Sequence, residues 1–216
     1  MAGKLMRQKP EETMNERRTQ QIVEIAERFK PGIGARKDFR TLDVGCGGKL
    51  LAKYIYNYWG CDFKDYGLCI HPKRFKGINL NTTPRLPYPS NCFDVVVCAD
   101  ALEHLLFPFR IMKELKRVAK PNGIIIISLP NEITLDNRIR CLFGRYPGKI
   151  NYMSHHWFFT MPEAEKFLIK RMGQPVHKDY FFACSGGRWM RESWRRWLAR
   201  KFPRWFAGSV IMVFRK

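Results

Sequence analysis

Short apolar runs alternate with polar and amphipathic stretches through the first two thirds of this chain. Five of these runs have the length of strands and lie at Phe39–Val44, Tyr66–Ile70, Gly77–Leu80, Phe93–Ala99 and Ile124–Leu129. The valine-rich fourth run is typical of a parallel strand that is buried on both faces. Because helical segments separate the runs, the pattern predicts an α/β protein with a doubly wound sheet.

Helical periodicity occupies the intervals between these strands. Apolar residues recur on one face of Met14–Phe29, and a proline and a glycine then end this predicted helix. Lys49–Trp59 and Ala101–Ala119 are predicted as the helices after the first and fourth strands, the second with a break at Pro108. Short links between alternating strands and helices imply right-handed crossovers and a mostly parallel sheet.

The C-terminal third departs from this alternation. Thr160–Glu163 combines a capping threonine, a proline in the first turn and a glutamate at the third position, so a helix is predicted there, ending near Met172. Lys178–Cys184 and Ser209–Phe214 are predicted as the last two strands. The segment between them, residues 185–205, is basic and rich in tryptophan.

Length and composition fit a single domain. The 216 residues are 45% hydrophobic and 14% aromatic, enough for one sizeable core. We divide the domain into an N-terminal helical segment (1–38), a lid-like insertion (131–159) and the basic segment (185–205). The apolar runs are too short to span a bilayer, and the seven cysteines contain no CxxC pair. The sequence therefore predicts a cytoplasmic protein with reduced thiols and no transmembrane segment.

The chain is strongly basic, with a formal net charge of +20. Such a charge favours an anionic partner, either an anionic membrane surface or nucleic acid. The apolar residues of the basic segment recur at helical spacing. A helix of this kind fits a membrane interface or a lipid-linked substrate, but it also fits base stacking or plain packing on the sheet, and the sequence leaves these alternatives open.

A glycine-rich turn follows the first predicted strand. Thr41–Ala52 runs from an apolar strand through Gly45, Gly47 and Gly48 into a helical pattern, which is a ligand-binding loop at the carboxyl end of a strand. Dinucleotides, nucleotide phosphates and S-adenosylmethionine (SAM) all suit such loops. The P-loop spacing is absent, and Leu50 occupies the third-glycine position of the dinucleotide fingerprint, which weighs against a nicotinamide oxidoreductase.

Five segments share their order and spacing with one known family. They are Leu42–Gly47, Leu86–Val96, Ala101–His104, Glu114–Gly123 and Ser128–Asn131. In these segments the chain resembles the class I SAM-dependent methyltransferases, especially the type 11 and methionine-biosynthesis-associated subgroup. The resemblance implies a Rossmann-like sheet of seven strands, mostly parallel with an antiparallel last strand, and SAM as the cofactor.

The resemblance also implies which residues bind the cofactor. The loop backbone would approach the methionine half of SAM, Asp43 would position its ammonium group, and residues after the fourth strand would line its other side. The cofactor-binding candidates are Asp43, Gly45, Cys46, Gly47, Cys69, Asn79, Asp100, Ala101 and Leu102.

Two of these candidates depart from the family pattern. The second strand normally ends in an acid that accepts hydrogen bonds from the ribose, and Cys69 takes that place in the predicted alignment. Asn79 likewise replaces an acid after the third strand. Because a thiol is a poor acceptor, these departures favour an alternative: a catalytically degenerate module that binds RNA, anionic membrane or a protein partner through its basic face.

Transfer of a methyl group to a hydroxyl or a protonated amine needs a base, and histidine suits that role near neutral pH. The catalytic candidates are His104, His155 and His156, although each also fits a role in packing or loop anchoring. No HxH or HExxH spacing occurs, so no metal site is expected. We predict a SAM-dependent methyltransferase that acts on oxygen or nitrogen of a small-molecule acceptor, with a lipid-linked or saccharide acceptor favoured by the basic aromatic segment.

Overall fold

One seven-stranded sheet organises the residues that the computed structural model describes, which are 14–48, 50–64, 74–145, 155–182 and 190–216. Its strands are β1 Thr41–Val44, β2 Tyr58–Asp62, β3 Phe75–Gly77, β4 Phe93–Ala99, β5 Ala119–Pro130, β6 His177–Phe182 and β7 Ala207–Arg215.

The strand order is β3-β2-β1-β4-β5-β7-β6, and β7 runs antiparallel to both of its neighbours while the other pairs are parallel. This topology confirms the predicted doubly wound, Rossmann-like sheet with a reversed last strand. The chain leaves β1 toward β2 and β3 and then returns to β4 on the other side. The carboxyl ends of β1 and β4 therefore border the crevice where such sheets bind ligands.

Six helices and two short 3₁₀ turns lie in the described ranges. They are α1 Met14–Phe29, α2 Pro108–Val118, α3 Leu135–Leu142, α4 Met161–Met172, α5 Glu192–Lys201 and α6 Pro203–Phe206, with 3₁₀ turns at Leu50–Lys53 and Leu102–His104. The predicted bounds of α1 are confirmed. The predicted capping box is confirmed too: the Glu163 carboxylate accepts a hydrogen bond from the Thr160 backbone N–H at 3.0 Å.

Apolar side chains cover both faces of the sheet. Val96 of β4 belongs to a cluster that includes Leu115 of α2 and Leu168 of α4. Its neighbour Val95 belongs to a second cluster, on the opposite face, that includes Ile22 of α1. The N-terminal helix is thus part of the core.

The predicted position of the second strand is wrong. The described part of Lys49–Trp59 is not an α-helix, because a single 3₁₀ turn at Leu50–Lys53 is followed by a link of residues 54–57 and then by β2, with Tyr58 paired to Thr41. The run predicted as strand two, Tyr66–Ile70, lies outside the described residues. β2 contains Gly60, where a Cβ would come within 3.1 Å of Cys46 Sγ. Close packing against the glycine loop therefore explains a glycine inside this strand.

Other boundaries shift by a few residues. The third strand is Phe75–Gly77 rather than Gly77–Leu80, and β5 begins at Ala119 rather than Ile124. Asn122 within β5 has a φ of +61°, a conformation that asparagine tolerates. The break predicted at Pro108 is confirmed, because α2 begins at this residue after a separate 3₁₀ turn.

Candidate active site

Three adjoining cavities lie over the carboxyl ends of the central strands. Their volumes are about 560, 330 and 200 Å³. Asp100, the residue after β4, lines all three, and His104 lines the two larger ones. We name them the large, middle and small cavity. Together they form one crevice at the point where the strand order reverses.

The glycine loop after β1 presents its backbone to this crevice. Gly45 has a φ of +73°, and a Cβ there would lie 2.5 Å from the Cβ of Ala101. Gly47 has a φ of +46°, and among the described residues none but its chain neighbours comes within 4 Å of the place of its Cβ. The amides of Gly45 and Cys46 donate to Cys61 O at 2.9 and 3.2 Å. β2 therefore holds the loop, and Gly47 leaves room for a ligand.

An acid ends the second strand after all. Asp62 closes β2, lines the large cavity opposite Asn79, and accepts a hydrogen bond from the amide of Gly47 at 2.7 Å. The prediction that a cysteine ends this strand is therefore wrong, and Cys69 itself lies outside the described residues. The sequence signal for this strand was the acid that ends the mostly apolar run Tyr58–Asp62. It was not recognised because Lys49–Trp59 was interpreted as a helix.

Asp43 of β1 is buried against the small cavity. The Tyr58 hydroxyl donates a hydrogen bond to its Oδ2 at 2.8 Å. Burial raises the pKa of the Asp43 carboxyl to about 7, although the hydrogen bond opposes this shift. A cation placed in the small cavity would favour the ionised carboxylate.

An arginine from the N-terminal helix reaches into the crevice. Arg18 of α1 forms an ion pair with Asp100, whose other carboxylate oxygen accepts a hydrogen bond from the Ser128 hydroxyl. Burial lowers the pKa of Arg18, opposed by the nearby carboxylate of Glu103. The sequence analysis missed this residue. Its signal was its place on the apolar face of α1, four residues before the buried Ile22.

Two of the three predicted histidines lie together. The ring centroids of His104 and His155 are 4.5 Å apart, and both residues line the middle cavity. Backbone bonds fix this arrangement, because the amides of His156 and Trp157 donate to Glu103 O at 2.8 and 3.2 Å. His156 is exposed and lines none of the three cavities described above.

Two buried carboxyl groups adjoin these rings. Glu103 is 1% exposed, and its Oε2 makes no hydrogen bond with any described residue. Glu132 Oε1 lies 2.8 Å from Nδ1 of His155. Burial raises the pKa of Glu103 to about 8 and that of Glu132 to about 7, and it lowers the pKa of His155. Burial thus favours the neutral forms of both carboxyl groups and of the His155 imidazole.

The remaining candidates for cofactor binding lie in different places. Ala101 lines the large cavity, Cys46 lines the small one, and Leu102 is buried in the core instead. The large cavity brings together Gly45, Gly47, Asp62, Asn79, Asp100 and Ala101.

The comparisons with known proteins agree with this geometry. The profile of a methyltransferase domain matches residues 42–127, from β1 into β5. The ubiquinone biosynthesis O-methyltransferase of Dinoroseobacter shibae is 28% identical over 156 residues, which are 66% of this chain and 62% of that protein. The demethylmenaquinone methyltransferase of Geobacillus stearothermophilus is 24% identical over 177 residues, 76% of this chain and 66% of that protein.

A solved structure shares the fold. The SAM-dependent methyltransferase from Archaeoglobus fulgidus superposes with a TM-score of 0.57 at 17% identity, covering 92% of this chain and 94% of that one. This chain spans 39–66% of the length of the relatives it matches. Residues 42–127 thus match a methyltransferase domain, and the fold is similar to that of a SAM-dependent methyltransferase.

Proposed function

We propose that this chain transfers the methyl group of SAM to an oxygen atom of a lipid-linked acceptor, whose polar part enters the crevice beside His104. The position of Asp62 carries this proposal. Its carboxylate ends β2, faces the large cavity and lies within hydrogen-bond distance of the glycine loop. Its two oxygens accept from the amides of Gly47 and Phe63, and each keeps a further lone pair, which suits a pair of vicinal hydroxyls.

The cofactor fits the two cavities that share the glycine loop. A volume of about 560 Å³ is in the range of small-molecule sites, so the large cavity accommodates the adenosine between Asp62 and Asn79. The methionine half extends past Gly45 and Gly47 into the small cavity. Its ammonium group then approaches the buried carboxylate of Asp43.

The acceptor occupies the middle cavity. His104 lines both this cavity and the large one, so the transferring methyl group lies near it. The reaction requires the nucleophile, methyl carbon and sulfur in line, and loss of the hydroxyl proton. The imidazoles of His104 and His155 and the carboxylate of Glu132 are the groups that receive this proton. The name of one relative, an O-methyltransferase of ubiquinone biosynthesis, favours oxygen as the acceptor atom.

An exposed aromatic surface supports a lipid-like acceptor. α5 buries Ala199, but Trp194 and Trp197 are 58% and 50% exposed, with ring centroids 5.8 Å apart. Phe202 continues the row, 6.1 Å from Trp197. The tryptophans are therefore not packed on the sheet, and exposed aromatic residues beside arginines suit a membrane interface.

The exposed surface extends to the middle cavity through α3. Residues at the start of α3 line that cavity, whereas Leu142 and Phe143 at its end are 81% and 74% exposed. The Arg138 guanidinium stacks 4.6 Å from the ring of Trp205, which joins α3 to the aromatic row. None of the helices in the described ranges has the length and apolar character needed to cross a bilayer. We propose peripheral attachment to an anionic membrane instead.

The degenerate-module alternative is not supported. It rested on Cys69 and Asn79 in the places of two acids; Asp62 supplies the first acid, and Asn79 still offers a carbonyl oxygen to the large cavity.

Calorimetry with SAM tests the proposal. The wild-type chain should bind SAM, and Asp62→Ala should bind it at least tenfold more weakly. Asp38→Ala, which removes a 63% exposed side-chain carboxylate, is the matched control and should bind normally. Label transfer from methyl-labelled SAM to an extracted membrane lipid fraction then identifies the acceptor. An absence of heat with millimolar SAM would refute the proposal.

A further inference from the structure

We propose that Glu103, His104 and His155 form a binding site for a divalent transition-metal cation at the wall between the middle and large cavities. No metal site was expected from the sequence, because neither HxH nor HExxH spacing occurs in it. Here two adjacent residues after β4 meet a third from the lid-like insertion. The binding of the cation stands apart from the proposed methyl transfer, whereas its use in catalysis rests on that function.

The three side chains converge closely enough to share one ion. One ligand atom from each residue lies within 4.8 Å of the other two. Metal bonds to nitrogen and oxygen of about 2.1 Å place neighbouring ligand atoms about 3.0–3.4 Å apart. Side-chain movements of about 1 Å therefore complete the site.

The unpartnered oxygen of Glu103 is an independent sign of a ligand. The side chain is 99% removed from solvent, lines the middle cavity, and its Oε2 has no hydrogen-bond partner among the described residues. Buried carboxylate oxygens are normally satisfied, because leaving one without a partner is costly. A cation in the cavity would satisfy this oxygen.

Glu132 supplies the expected outer partner. A metal-binding histidine usually donates its second ring N–H to a carboxylate, which fixes the tautomer and the ring orientation. Glu132 Oε1 lies 2.8 Å from Nδ1 of His155, which leaves Nε2 for the ion. The backbone bonds from residues 156 and 157 to Glu103 O hold the two halves of the site together.

The local charge also favours a cation. Although the chain carries a net charge of +20, the middle cavity is lined by four acids and one arginine. The acids are Asp100, Glu103, Glu132 and Asp136. Arg18 is already paired with Asp100, and the lining holds no second lysine or arginine, so an entering cation meets carboxyl groups rather than a positive side chain.

The ligand set indicates which ions bind. Two imidazoles and one carboxylate suit manganese, iron, cobalt or zinc better than magnesium or calcium, which prefer oxygen ligands. Three protein ligands leave open positions for an acceptor oxygen. A cation here would lower the pKa of a hydroxyl that binds it, and Glu132, rather than the imidazoles that then hold the ion, would receive the proton.

Manganese binding to the chelator-treated full chain tests the site, measured by loss of the free-ion paramagnetic resonance signal. Manganese is the probe because thiols such as the exposed Cys141 bind zinc. We expect one equivalent, displaced by zinc but not by magnesium. His155→Ala should weaken binding at least tenfold and Glu132→Gln about 10–100-fold. His177→Ala, at the amino end of β6, is the control and should bind like the wild type.

SAM binding is measured on the same samples and separates the two proposals. Absence of saturable manganese binding, or equal affinity in wild type and His155→Ala, refutes the metal site even if SAM binds. Manganese binding without SAM binding refutes only the proposed function. Glu132→Gln keeps the volume of the side chain, so it provides the answer if His155→Ala fails to fold.

Discussion

Asp62 Oδ2 accepts a hydrogen bond from the Gly47 amide at 2.7 Å, so the end of β2 orders the glycine loop that follows β1. This contact gives Asp62 two roles, one in the loop and one toward the ribose. Asp62→Asn keeps an oxygen for the Gly47 amide but loses the charge and one acceptor. We expect SAM affinity to fall about 10- to 100-fold, which corresponds to about 1–3 kcal/mol. Calorimetry measures this, and a thermal melt of the apo protein should change little.

Gly45 and Gly47 should respond differently to alanine. Gly45→Ala places a Cβ 2.5 Å from that of Ala101 and should destabilise the apo protein and abolish SAM binding. Gly47→Ala has open space around it and a φ of +46°, so it should cost about 1 kcal/mol in stability. Because that open space is where the cofactor approaches, SAM binding should still be lost. Normal SAM affinity in Gly47→Ala would contradict this placement of the cofactor.

The predictable strands share one property, a continuous buried run. β4 was predicted with its correct ends because Phe93–Ala99 is almost entirely apolar and fully embedded in the sheet. β2 was missed because its first two residues fall in Lys49–Trp59, which was interpreted as a helix, and because Gly60 interrupts its apolar run. Its glycine is explained by packing against Cys46, which only the tertiary structure brings near. Local pattern could not supply that contact.

The parts of the candidate site that leave a local pattern in the sequence were predictable, and the others were not. The glycine loop has its own local signature, and His104 follows a clear strand. The pairing of Arg18 with Asp100 joins residues 82 positions apart, and the approach of His155 to His104 depends on backbone bonds across the crevice. Side chains supplied by distant segments leave no spacing pattern in the sequence.

The Arg18–Asp100 pair should couple α1 to the crevice. Arg18→Met leaves a largely buried carboxylate without its cation, and we expect the free energy of unfolding to fall by about 2 kcal/mol. The double variant Arg18→Met/Asp100→Asn should recover at least 1 kcal/mol of this loss. Urea unfolding of the wild type, Arg18→Met, Asp100→Asn and the double variant measures the coupling free energy between the two side chains. Additive effects of the two substitutions would show that the pair is not formed.

Stability should depend on pH through Asp43. Its pKa rises from 3.8 to about 7 on folding, so the folded state binds more protons than the unfolded state between these values. Stability is therefore lost as pH rises from about 4 to about 7, by at most about 4 kcal/mol. Asp43→Asn removes this contribution while keeping an acceptor for Tyr58. The unfolding free energy of the wild type, relative to that of Asp43→Asn, should therefore fall between pH 5 and pH 7.5, as measured by unfolding in urea.

SAM affinity should show the opposite trend with pH. The ammonium group of SAM pairs only with the ionised carboxylate of Asp43, so binding releases a proton and tightens as pH rises from about 6 to about 8. Calorimetry in buffers with different ionisation enthalpies measures the proton release. Asp43→Asn should bind more weakly at all pH values and should show no such release from this site. Equal release in both proteins would assign the proton to another group.

The exposed tryptophans should govern attachment to membranes. Trp194→Ala/Trp197→Ala removes two half-exposed rings from α5, which buries Ala199 instead, so the fold should be retained. We expect partitioning onto vesicles of anionic phospholipid to fall at least tenfold, because interfacial tryptophan and nearby arginine act together. Tyr56→Ala is the control, since this 52% exposed ring lies before β2, at the amino edge of the sheet. Vesicle sedimentation measures binding, and equal partitioning of both variants would show that α5 does not face the membrane.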